Sequence, residues 1–219
     1  MKTIAIVPIK LNSERVKGKN FRIINGIPLY RYLCDKLVDC NFDEIYIDSD
    51  SEEIKNYCQK MGYKYIERLK RLSDKNANGN DLLAYHTSII NADFYFQLFV
   101  TAPLLSIDSI NDCIDILKNN NDIDSIFTSR EHYSWYWFDG KPINYDPKIL
   151  PRSQDAKPVI SETTGLYGIK NNYNKEIKYR IGNKPYIYNV SDEESIDLDT
   201  NFDFLFLEYY VQQHLHSTK

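Results

Sequence analysis

This 219-residue chain has no C-x-x-C pair, no metal-ligand spacing among its histidines and no long apolar run. The scattered Cys34, Cys40, Cys58 and Cys113 argue against a zinc site or a disulfide framework. Three of them fall on helical patterns, where a free cysteine behaves as a small hydrophobe, and we read all four as reduced cytosolic thiols. A chain of this length buries enough surface to need no such staple. No stretch approaches the roughly 20 apolar residues of a membrane-spanning helix, and the opening MKTIAIVPIK lacks the apolar core of a secretion signal. The expectation is a cytoplasmic protein without a membrane partner. The formal net charge of −4 excludes global attraction to nucleic acid, so any affinity for phosphate must be local. His86, His132, His214 and His216 receive no role, and no Ser-His-Asp or Cys-His arrangement is evident. Internal repeats and low-complexity linkers are absent too.

What is present begins at residues 4–20, IAIVPIKLNSERVKGKN. A short apolar run empties into a loop bearing Lys10, Asn12, Ser13, Arg15, Lys17, Gly18, Lys19 and Asn20. Backbone N–H groups and ammonium heads converging beyond a strand end make a phosphate site. The loop matches neither the Walker pattern nor the dinucleotide G-x-G-x-x-G. On spacing alone, a basic loop of this kind is more often a solvated turn than a cradle.

Strand and helix patterns alternate after it. Strands are expected at residues 4–8, 44–48, 63–67, 94–100 and 125–128, with late ones at 166–169 and 186–190. Helices are expected at 28–38, with Pro28 in the first turn, and at 51–61, with Ser51 as N-cap. Further helices are expected at 80–90, 107–117 and 202–214. The repetition predicts a doubly wound, mostly parallel sheet in one domain spanning 1–219. Residues 131–165 form an excursion, within which 131–160 hold both tryptophans and four of the eight prolines. Asp139-Gly140 is a candidate hairpin turn. The excursion suits a substrate lid, a core-covering loop or, slightly favoured for its aromatics, a dimer arm.

Residues 195–200, SIDLDT, are the second strong feature. On an extended segment Asp197 and Asp199, two positions apart, face the same side and suit a shared hard cation such as Mg²⁺. The plainer reading is that Asp199 and Thr200 cap the last helix. Asp48-Ser49-Asp50 closes a strand at the edge where ligands bind, although such residues more often cap the next helix. Arg68, Lys70, Arg71, Ser73 and Asp74 form a polar cluster that would reach phosphate or simply face solvent. Val100-Thr101-Ala102-Pro103-Leu104 ends the central strand and is suited to floor a base or sugar pocket.

Taken in order, these segments resemble the N-acylneuraminate cytidylyltransferases, the CMP-sialic acid synthetase family, over nearly the whole chain. The matching stretches are Ile9 to Ser13 through Lys19-Asn20, Asn25-Gly26-Ile27-Pro28-Leu29, Asp48-Ser49-Asp50, Arg68 through Asp74, Val100-Thr101-Ala102-Pro103-Leu104, Arg152-Ser153-Gln154-Asp155 with Gly165-Leu166-Tyr167, and SIDLDT. The first and last are specific, while the middle ones are individually weak. The resemblance implies a three-layer Rossmann-like nucleotidyltransferase fold. It also implies attack by a hydroxyl of an acidic sugar on the α-phosphate of CTP, giving a CMP-sugar and pyrophosphate. Lys10, Ser13 and Lys19 would hold the triphosphate, with Asn12, Asn20, Arg68 and Asp74 on the nucleotide. Asp197 and Asp199 would bind Mg²⁺, and Asp197 is a candidate base. Phe99, Thr101, Arg152 and Gln154 would face the acceptor. A homodimer is implied, its partner chain completing the acceptor pocket.

Three departures bear on the acceptor. Lys10 replaces the family's arginine, giving a point charge in place of a planar fork. Phe99 stands where a glutamine facing the sugar is usual, and Ala102 replaces a serine. They keep open an acceptor other than ordinary sialic acid, including a phosphonate or another small anion, with Arg152 receiving its acidic group bidentately. A non-catalytic nucleotide-binding homologue is the reading from a different class.

Overall fold

Every residue of β1 (Thr3–Ile9) is buried in the computed structural model, as its unbroken apolar run requires of a central strand. The structure describes residues 1–13, 16–74, 76–172 and 176–215, and of Leu215 only the backbone. Alternation along β1 divides the core. Ala5, Val7 and Ile9 face one apolar cluster, while Ile4 and Ile6 face another.

The chain continues through β2 (Ile23–Ile24), β3 (Ile27–Pro28), α1 (Leu29–Cys34), β4 (Glu44–Ser49), α2 (Glu52–Met61) and β5 (Lys64–Glu67). Then come α3 (Gly79–Ile89), β6 (Phe94–Leu98), α4 (Ile107–Asn119), β7 (Ser125–His132), β8 (Trp137–Phe138) and β9 (Lys141–Pro142). The chain closes with β10 (Val159–Lys170), β11 (Pro185–Asn189) and α5 (Asn201–Leu215). Seven strands form one sheet in the order β11-β7-β10-β6-β1-β4-β5. β10 runs antiparallel to both neighbours, and the other pairings are parallel. Helices α1, α2 and α4 pack on one face and α3 on the other, giving the expected three-layer, doubly wound α/β architecture. β1 lies between β4 and β6, so the strand order reverses beside β1 and opens a crevice at the carboxyl ends of β1 and β6.

Several local expectations need correction. Pro28 is not in the first helical turn. It pairs with Ile23 in a two-residue hairpin and precedes α1 in extended conformation. Asn25 (φ 46°) and Gly26 (φ 80°) make that turn, and Asp139 (φ 49°) with Gly140 (φ 70°) makes the expected one between β8 and β9. Helix α1 ends early and tightens into a 3-10 turn over Asp35–Asp39, where Asp35, Val38 and Asp39 are weak helix formers. Ser51 occupies the N-cap of α2 but its side chain makes no capping bond.

All four cysteines are buried and free. Burial pushes the Cys40 and Cys58 thiols up to about 11 and the others further, which makes them inert filling. Among the described residues, no helix is long and apolar enough to cross a membrane.

Candidate active site

A cavity of about 400 Å³ opens at the carboxyl ends of β1 and β6, where the strand order reverses. Lys10, Ser13, Lys19 and Asn20 line one side. The buried Asn20 donates from Nδ2 to the Lys10 carbonyl oxygen at 2.9 Å, which folds the loop back on its own start. Among the described residues Ser13 Oγ is buried without a hydrogen-bond partner. A buried hydroxyl left so is costly unless something fills the cavity beside it. Asn12 is exposed and does not line the cavity, and Arg15 lies outside the described residues, as does His216.

Arg68 and Asp74 form part of another wall. Arg68 is not on a solvated face. It is 7% exposed and donates from Nε to Asp48 Oδ1 at 2.5 Å. The fully buried Asp48 carboxylate also meets the Nε2 of His86 on α3. Thus Asp48 does not cap α2, and His86, given no role from its spacing, supports the residue that supports Arg68. Burial works against the Asp48 charge, but His86 and the Arg68 guanidinium outweigh it and hold its pKa below the usual carboxylate value. Lys70 and Arg71 are exposed outside this network. Phe99 and Thr101, just beyond β6, form the floor.

The acidic pair sits against that floor. The Leu198 amide donates to the Thr101 carbonyl oxygen at 2.9 Å, fixing the segment between the two carboxylates. Lys19 Nζ lies 3.0 Å from Asp199 Oδ1 and 2.8 Å from the Leu198 carbonyl oxygen. Asp197 Oδ2 accepts from Thr164 Oγ1 at 2.8 Å, whereas Oδ1 is buried with no hydrogen-bond partner among the described residues. Burial holds the Asp197 pKa above its ordinary value, and the nearby charge of Asp199 adds to this. Hydroxyls of Thr101 and Thr164 and the Lys19 ammonium oppose it. Thr200 caps the last helix as expected, in a reciprocal box with Asp203, while Asp199 contributes only its amide. Asp203 Oδ2 accepts from the amides of Asp199 and Thr200, and the Asp203 amide donates to Thr200 Oγ1.

Thr164 is positioned at a cost. The β10 register shifts between Glu162 and Tyr167, and Thr164 adopts φ 54°, unusual for a β-branched residue. The bulge turns its hydroxyl toward Asp197.

A buried, unpartnered carboxylate oxygen beside a second carboxylate fits a hard cation. Among the described residues no group of three or more His, Cys, Asp or Glu side chains gathers to hold a metal. A cation here would therefore complete its shell on a ligand's oxygens, as Mg²⁺ commonly does.

Arg152 and Gln154 are not brought to the cavity. They lie on the excursion at a 3-10 turn over Ser153–Asp155, with Arg152 paired to Asp155 by bonds of 2.7 and 3.2 Å. The excursion exposes Trp135, Trp137, Phe138, Ile143, Ile149 and Leu150.

Comparison with known proteins adds a lineage. The family profile described as Cytidylyltransferase matches residues 4–198. N-acylneuraminate cytidylyltransferase A of Danio rerio is 23% identical over 94% of this chain and 50% of the relative. The N-acylneuraminate cytidylyltransferase of Streptococcus agalactiae is 25% identical over 97% of this chain and 55% of the relative. The chain thus spans about half the length of these two relatives. Pseudaminic acid cytidylyltransferase of Campylobacter jejuni is 27% identical over 76% of this chain and 78% of the relative. Among solved structures, CMP:2-keto-3-deoxy-manno-octonic acid synthetase complexed with CTP superposes with a TM-score of 0.69 at 15% identity, covering 98% and 100% of the two chains. The 4-diphosphocytidyl-2C-methyl-D-erythritol synthase of Anaerococcus prevotii gives 0.64 at 14% identity, covering 96% of each.

Proposed function

Because the chain belongs to the cytidylyltransferase family, we propose that it moves CMP from CTP to an acidic sugar of the nonulosonic or sialic acid type, releasing pyrophosphate, for surface glycan synthesis. The observation that carries this reading is a cavity walled by a lysine-bearing loop, one of whose lining residues, Lys19, reaches Asp199 of the acidic pair. Relatives named for sialic and pseudaminic acids support the acceptor class.

In this reading Lys10, Ser13 and Lys19 bind the triphosphate. Their positive charge and the Ser13 hydroxyl stabilise the leaving pyrophosphate, so catalysis is positioning and electrostatics without a covalent nucleophile. Asn20, Arg68 and Asp74 orient the nucleotide. Asp197 and Asp199 would hold Mg²⁺, which supplies charge neutralisation at the phosphate oxygens. The raised pKa of Asp197 suits it to take the acceptor's proton. Phe99 and Thr101 face the acceptor.

The chain acts as one nucleotidyltransferase domain whose excursion, residues 131–165, packs against a second copy. The exposed aromatic and aliphatic side chains of that arm support this, being of the type enriched in interfaces. Arg152 and Gln154, which do not line their own cavity, would then serve the partner's. A reaction that draws on CTP fits a cytoplasmic setting. A second reading, a phosphonate or other small anionic acceptor, is favoured by Phe99 lining the cavity where an amide would suit a sugar.

Pyrophosphate release from CTP and Mg²⁺ across acidic sugars and phosphonates tests the reading, with Asp199→Ala as control. Release with a nonulosonic acid, lost in the variant, is expected. Release only with a phosphonate would select the second reading. Silence across the panel with CTP still bound would leave a non-catalytic nucleotide binder.

A further inference from the structure

Arg180, which belongs to no motif, does not itself line the cavity but packs against Phe99 and Gly79, which do. Its guanidinium carbon stands 3.8 Å from the centroid of the Tyr167 ring and 5.9 Å from that of Phe99. A Cβ added to Gly79, a cavity-lining residue, would fall 2.9 Å from Arg180 Nη1 and 3.5 Å from Gln97 Oε1. The wall at Gly79 is therefore backed by a guanidinium and an amide oxygen. Gln97 is fully buried, and its Oε1 has no hydrogen-bond partner among the described residues.

Arg180 is held but not saturated. Its amide donates to Asn80 Oδ1 at 2.9 Å, and the Tyr167 ring stacks beneath its planar head. Glu162 Oε2 lies 3.8 Å from Nη2, beyond hydrogen-bond reach, and already accepts from the Tyr167 hydroxyl at 2.6 Å. No hydrogen bond to the guanidinium is found among the described residues. Its side chain is 26% exposed, so the donors are partly desolvated and still reachable. A planar fork fixed on an aromatic face with unused N–H groups is suited to two-point binding of a carboxylate. Arg152 is the contrast, with a side chain 73% exposed and two nitrogens already bonded to Asp155.

Resting on the transferase reading above, we propose that Arg180 is the specificity-determining residue that receives the acidic group of the acceptor. The acceptor then lies between Arg180 and Asp197, along the bulged strand that carries both Tyr167 and Thr164.

The test compares wild type, Arg180→Gln and Arg180→Lys with N-acetylneuraminate and its methyl ester, which lacks the acidic group. Loss of a charged hydrogen-bonding partner predicts an acceptor KM raised about tenfold to a hundredfold in Arg180→Gln, with the KM for CTP changed less than about twofold. Wild type should prefer the acid to the ester. Arg180→Gln should lose that preference, and Arg180→Lys should keep part of it, since a point charge does not reproduce the fork. An equal rise in both KM values, or acid preference retained in Arg180→Gln, would overturn the assignment. Calorimetric titration of the acid in the presence of CTP needs no turnover. Binding by wild type and not by Arg180→Gln supports Arg180 even if no pyrophosphate is released, in which case the transferase reading fails alone. Equal binding by both, or binding by neither, overturns the assignment.

Discussion

Lys19 and Asp199 meet at 3.0 Å although 180 positions separate them, so the first loop and the segment before the last helix are one electrostatic unit. The lysine neutralises a carboxylate that a cation would otherwise occupy. If Asp197 and Asp199 held a cation, Lys19 would be free to serve phosphate. Lys19→Met should lower kcat/KM for CTP by about a hundredfold or more. The same variant should bind Mn²⁺ more tightly than wild type when no nucleotide is present, measured by electron paramagnetic resonance. Unchanged metal affinity would contradict the neutralising role.

Asp48 carries a prediction on stability. Asp48→Asn leaves the buried Arg68 guanidinium uncompensated and should cost roughly 3 kcal/mol in urea unfolding at pH 7. The folded pKa of Asp48 lies below the unfolded value, so its stabilisation is present above the usual carboxylate range. It is lost as pH falls through the depressed folded value. The gap between wild type and variant should therefore narrow from about pH 4 downward.

Lys36 should give a slope of the same sign in alkali. It is mostly buried, donates to the carbonyl oxygens of Pro103 and Leu105, and has its pKa lowered from 10.5 to about 8, chiefly by burial. Between these values the unfolded chain binds more protons than the folded one, so this group makes stability rise with pH. Unfolding of wild type relative to Lys36→Met from pH 7 to 10.5 should show a relative gain of up to about 3 kcal/mol. A flat difference would mean that the ammonium is not desolvated.

Gly168 tests packing under the central sheet. A Cβ there would lie 2.5 Å from Phe96 Cε1 and 2.7 Å from Ile126 Cγ2. Gly168→Ala should destabilise by about 1–3 kcal/mol through overpacking, visible as a lowered urea midpoint.

The exposed arm supplies the last prediction. Replacing both Trp135 and Trp137 by alanine should shift the protein from dimer to monomer in sedimentation equilibrium, with the far-ultraviolet circular dichroism retained. A dimer of undiminished affinity would rule out these rings as its anchors.

Most of the sheet is legible in the sequence because strands buried on both faces leave unbroken apolar runs, as at Ile4 and Phe94. β10 is legible only from Leu166 onward. Its first half is mostly exposed and runs into the bulge, so no period marks it. The cationic loop and the acidic pair are legible through local spacing. The chain of Arg68, Asp48 and His86 is not, because its members sit on three elements, 20 and 38 positions apart. The strand-edge placement of Asp48 was the available signal. Arg180 left none, since only the fold brings it to Phe99 and Tyr167. Arg152 shows the converse, a motif residue that the fold of a single chain leaves off the cavity's lining.

The left-handed backbone at Thr164 sets stability against activity at one position. Glycine there would relieve about 1 kcal/mol or more of conformational strain but would remove the hydroxyl that meets Asp197. A library of variants selected only for heat resistance would thus drift toward glycine or asparagine at 164 and shed turnover as it did so. Selection for both properties would keep the strained threonine and seek its gains elsewhere in the sheet.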